Sequence, residues 1–129
     1  MGRPALPATQ TAGGRSATAV TLREVYRDTL NACAQSTVVS GIEPLLLDEP
    51  VLKLRIHLGT VAFIDVFFNA ETGKTSFALI KNGQRIFGVD NTRGWHLHPF
   101  DDPESHSPCE EIRFESFLNQ VEKNKGRWI

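Results

Sequence analysis

Residues 51–90, VLKLRIHLGTVAFIDVFFNAETGKTSFALIKNGQRIFGVD, decide the fold. Leu52, Leu54, Ile56 and Leu58 alternate with Lys53, Arg55 and His57, the period-two pattern of a strand with one buried face. Residues 61–69 read as a second strand. Residues 75–81 and 84–90 read as a third and a fourth, joined by Asn82-Gly83, a pair whose tolerance of positive φ favours a two-residue hairpin turn. The first hairpin admits two registers. A two-residue turn at Gly59-Thr60 sets Asp65 opposite Leu54, and an unpaired carboxylate on the buried face is costly. A three-residue loop, 59–61, sets Asp65 opposite Arg55. It also aligns Leu52, Leu54, Ile56 and Leu58 with Phe68, Val66, Ile64 and Ala62. A one-residue slip turns every side chain to the other face, so the three-residue loop is expected.

Helices are expected on either side of this meander. Thr21 and Glu24 have the spacing of a capping box. Leu22, Val25, Tyr26, Thr29, Leu30 and Cys33 then form one apolar stripe, which predicts a helix of about 15 residues. Phe114, Phe117, Leu118 and Val121 form the stripe of a second helix over 114–124. Val38-Val39 is expected to begin a short strand. Gly41, Pro44 and Pro50 make 41–50 a linker, with Leu45, Leu46 and Leu47 pinned to the core. The predicted architecture is α+β: a four-stranded antiparallel β-meander with an N-terminal and a C-terminal helix packed mainly on one face. It forms a single domain over 21–129. Residues 1–20 contain no acid and no aromatic residue and are expected to be a disordered tail. They lack the apolar core of a secretory signal.

Composition narrows the function. The 129 residues are 40% hydrophobic and 22% charged, and 14 Lys and Arg against 15 Asp and Glu leave a formal charge of −1. The chain as a whole is not a polycation that coats nucleic acid or anionic lipid. Its apolar runs fall far short of the roughly 20 residues that span a bilayer. Two cysteines, Cys33 and Cys109, without a C-x-x-C pair read as reduced thiols, so a cytoplasmic location is expected. Charge is unevenly spread. Residues 51–100 carry six bases and three acids, while 101–122 carry seven acids and one base. On the outward sheet face, Lys53, Arg55 and His57 lie beside Val61, Phe63, Asp65 and Phe67. Such interleaving suits RNA, and it equally suits a partner protein or a second copy of the chain.

The loop over 90–106, DNTRGWHLHPFDDPESH, holds three of the four histidines. Pro99 disfavours helix at His98, so His96 and His98 are expected on an extended segment, pointing the same way. Three chemistries fit. One is metal-free RNA cleavage, with His96, His98 and His106 as acid and base candidates and Asp90 orienting an imidazole. Arg93 and Arg85 would stabilise the phosphorane, and Lys53, Arg55 and Trp95 would extend the RNA path. This reading needs no cofactor. A second is a zinc-like divalent site with His96, His98 and His106 or Asp101 as ligands. A third is structural, with Trp95 and Phe100 plugging the sheet end while the histidines cap backbone groups.

The run SFALIKNGQRIFGVDN, the H-x-H-P loop after it and a short C-terminal helix resemble the TumE family of toxin–antitoxin toxins. The residues that carry the resemblance are Arg85, Phe87, Asp90, Asn91, His96, His98 and His106, within about residues 50–122. Thr92-Arg93-Gly94-Trp95 departs from the histidine expected there, and Asp101-Asp102-Pro103-Glu104 is distinctive. The resemblance implies a small toxin acting on RNA or translation, paired with an antitoxin-like protein.

Overall fold

A computed structural model describes residues 20–129; the tail expected over 1–20 otherwise lies outside the described residues. Helix α1 covers Leu22–Ala34 and strand β1 covers Gly41–Asp48. Strands β2 (Val51–Leu58), β3 (Ala62–Asn69), β4 (Thr75–Lys81) and β5 (Gln84–Asp90) follow. Two short strands, β6 (His96–His98) and β7 (Ser107–Pro108), precede helix α2 (Phe114–Lys123) and a final 3-10 turn, Lys125–Arg127. Among the described residues the sheet has seven antiparallel strands in sequence order. The expected α+β meander and its two flanking helices are present, but the expectation of four strands is corrected to seven.

The central register is the one that keeps charge off the buried face. Arg55 pairs with Asp65, and Leu52, Leu54, Ile56 and Leu58 pair with Phe68, Val66, Ile64 and Ala62. Gly59 supplies the positive φ of +65° that the three-residue loop needs. At the β4–β5 turn, Asn82 and Gly83 both have positive φ, 54° and 75°, as a two-residue hairpin of that type requires. Inward side chains of β2–β5 merge with Leu22 and Cys33 of α1 and Phe114, Phe117, Leu118 and Val121 of α2. Each large apolar side chain buried there stabilises the fold by roughly 1.5–3 kcal/mol. The capping box at α1 is formed, with the Glu24 amide donating to Thr21 Oγ1 at 3.1 Å.

Two expectations fail at the sheet margins. Residues 41–48 are the edge strand β1, not a linker, and Val38-Val39 precede it without joining it. Proline is tolerated on an edge, where a missing N–H interrupts no inner ladder, and the register shifts between Pro44 and Leu46. Leu45, Leu46 and Leu47 are 46%, 39% and 47% exposed, so they are not pinned to the core. The second irregularity lies between Leu79 and Ile80, which pair with Phe87 and Arg85 respectively. Ile86 is thereby bulged out of the ladder. Such an insertion re-aims the side chain before it. Arg85 shifts to the outward face, the face of Gly88.

Candidate functional site

The outward face carries two continuous rows of paired residues. One runs Arg55, Asp65, Ala78, Gly88, His98. The other runs Lys53, Phe67, Ser76, Asp90, His96. Pairing of β6 back onto β5 therefore sets His96 and His98 on the same side as Asp90. The connecting turn uses Arg93 and Gly94 at positive φ, 57° and 99°. Asp90 Oδ1 accepts the Thr92 amide at 3.0 Å. Asn91 braces the turn, accepting the Thr75 amide at 2.8 Å and donating to the Gly73 carbonyl at 2.9 Å. Strand β7 pairs with β6 and delivers His106 beside the other two histidines.

The three imidazoles form one cluster. Ring centroids are 5.2 Å apart for His96 and His98, 4.9 Å for His96 and His106, and 4.5 Å for His98 and His106. One nitrogen from each residue lies within 4.8 Å of the other two. Asp90 bridges the pair on β6: Oδ1 is 3.1 Å from His96 Nε2, and Oδ2 is 3.2 Å from His98 Nε2. Burial works against the charge on Asp90. The Thr92 amide, the His98 hydrogen bond, the nearby His96 and the Thr92 hydroxyl outweigh it and hold the carboxyl below its ordinary range.

These contacts constrain the protons. A carboxylate only accepts, so His98 Nε2 carries the hydrogen it donates to Asp90. His98 Nδ1 in the neutral ring then holds a lone pair. That atom is buried with no hydrogen-bond partner in a residue only 2% exposed. His96 Nδ1 lies 3.1 Å from the Gly94 carbonyl, an acceptor, while its Nε2 faces the Asp90 carboxylate. A neutral ring satisfies one of these contacts, not both.

A cleft of about 680 Å³ opens beside the cluster. The three histidines, Asp90, Arg93, Arg85 and Trp95 all line it, so most of the residues expected to form a site are brought together. Lys53 and Arg55 lie outside the cleft. Four strand spacings, about 19 Å, separate Lys53 from His96 along its row. Arg55 is engaged by Asp65, 2.9 Å from Nε to Oδ1, and lies over the Phe63 ring at 4.1 Å. Asp101 pairs with Arg127 at 2.6 Å instead of joining the histidines. Phe100 stacks on Phe87 at 4.4 Å.

Sequence reasoning missed Gly88 as a positioning residue. A Cβ there would sit 3.0 Å from Arg85 Cδ and 3.2 Å from the Phe77 carbonyl oxygen. Its bare backbone is what lets Arg85 lie across the strand. Glycine inside a strand pattern is a signal of such close approach. Comparison of the chain with protein-family models, curated proteins and solved structures finds no match.

Proposed function

We propose that this is a small divalent-metal-binding protein whose centre is His96, His98 and His106. The observation that carries it is the convergence of three imidazoles, with one nitrogen from each within 4.8 Å of the others. Zinc–nitrogen bonds of about 2.0–2.1 Å set tetrahedral ligands roughly 3.3 Å apart. The histidine nitrogens lie within 4.8 Å of one another and would close towards that spacing around the ion. Three imidazoles suit zinc among the common divalent ions. Asp90, hydrogen-bonded to the far nitrogen of His98, is the outer carboxylate that typically fixes a ligand's tautomer and orientation. The cleft leaves a fourth position open to a small molecule. Cobalt(II) is the probe: full-length chain should develop the visible absorption of a four-coordinate ion, and His98→Ala should not. An identical spectrum in the variant would contradict the assignment.

A second reading keeps the resemblance to TumE-like toxins. It is a cytoplasmic toxin, a metal-independent ribonuclease held in check by an antitoxin-like partner. It is favoured by the presence of two arginines, Asp90 and three histidines in one cleft. RNA cleavage that persists in chelator and disappears with His96→Ala/His98→Ala would favour it over the metal centre.

A further inference from the structure

We propose that the cleft beside the three histidines is an oxyanion site for the phosphate group of a small phosphate ester, with Arg93 and Arg85 as its cationic wall. The inference rests on the metal reading above. Asp90 is the cleft's one carboxylate and is already engaged by His96 and His98. With a divalent ion on the histidines, two arginines and that ion face a single acid. The excess positive charge calls for an anion of more than unit charge, which favours phosphate over carboxylate.

Both arginines are placed for this. The bulge at Ile86 and the bare Gly88 hold Arg85 across the outward face, where Nη2 donates to the Pro103 carbonyl at 3.1 Å. Its Nε is buried and makes no hydrogen bond. No carboxylate among the described residues pairs with Arg85 or Arg93. Arg93 stands at positive φ on the tip of the turn that carries the histidines. Guanidinium is the planar, always-charged group suited to bidentate phosphate contacts. The cleft, at about 680 Å³, is larger than an ion and a phosphate need. Trp95 and Pro108 add an apolar wall for the organic part of the ester.

The test titrates zinc-loaded full-length chain with inorganic phosphate, adenosine monophosphate and acetate by calorimetry. Zinc content is measured separately for every variant. Arg93→Asn removes the charge while tolerating the left-handed backbone. Wild type should bind both phosphates and not acetate. Arg93→Asn should weaken phosphate by about tenfold or more, the effect of losing one charge-assisted contact, with zinc content unchanged. Arg93→Lys should recover part of the loss. Equal phosphate affinity in wild type and Arg93→Asn, equal affinity for acetate, or no phosphate binding by zinc-loaded chain would overturn the inference and leave the metal centre standing. A chain that takes up no zinc would overturn both.

Discussion

His98 concentrates the chemistry in one ring: one nitrogen on a carboxylate, the other buried and bare. Burying an unsatisfied polar atom is unfavourable, a cost that a metal ion bound at that nitrogen would remove. Asp90 acts through the ring. Asp90→Asn should therefore lower zinc affinity by about 10–100-fold without abolishing it, as read by competition with a chromophoric chelator. Gly88 is a second residue with a specific role. Gly88→Ala should cost about 1–3 kcal/mol in urea denaturation, because the added methyl meets a backbone carbonyl as well as Arg85.

At the scale of elements, legibility follows strand length and burial. Strands β2 and β3 alternate in burial over eight residues each, long enough for a period of two to stand out. Asn82-Gly83 and the Asp65 charge then fixed two turns and a register. Strand β1 was illegible because Pro44 and three consecutive leucines break the alternation. Strands β6 and β7, with three and two residues, are too short to show a period at all. The histidines were nonetheless legible as a cluster, because loop composition concentrates them. The bulge that re-aims Arg85 has one local sign, Gly88 inside the strand pattern. The edge position of β1 yields its own test. Leu45→Lys should change stability by no more than about 0.5 kcal/mol, whereas a core leucine would cost several times that in the same denaturation assay. Helix α1 carries a pH-dependent contribution. Burial pushes the Cys33 thiol up to about 11 from an ordinary value of 9.0. The folded chain then keeps a proton that the unfolded chain releases, so this contribution is full below pH 9.0 and is lost as pH rises towards about 11. The stability difference between wild type and Cys33→Ala should shift against wild type across that interval.

For the whole molecule, near-neutrality conceals a division of charge. Bases cluster in the strand region and acids follow from residue 101, yet the cleft at their junction gathers two arginines and one engaged acid. No helix among the described residues is long and apolar enough to cross a membrane. The sheet holds the cleft on one face while both helices share the core on the other. Metal binding at the three histidines would stabilise the folded domain. A ligand that binds only the folded chain stabilises it by about 2.7 kcal/mol at a hundredfold excess over its dissociation constant. The most direct measurement is zinc stoichiometry by calorimetry on full-length chain and on His98→Ala. One zinc ion per wild-type chain, and none held by the variant while it remains folded, is the predicted result. No zinc uptake by wild type, or equal uptake by both, would contradict the three-histidine centre.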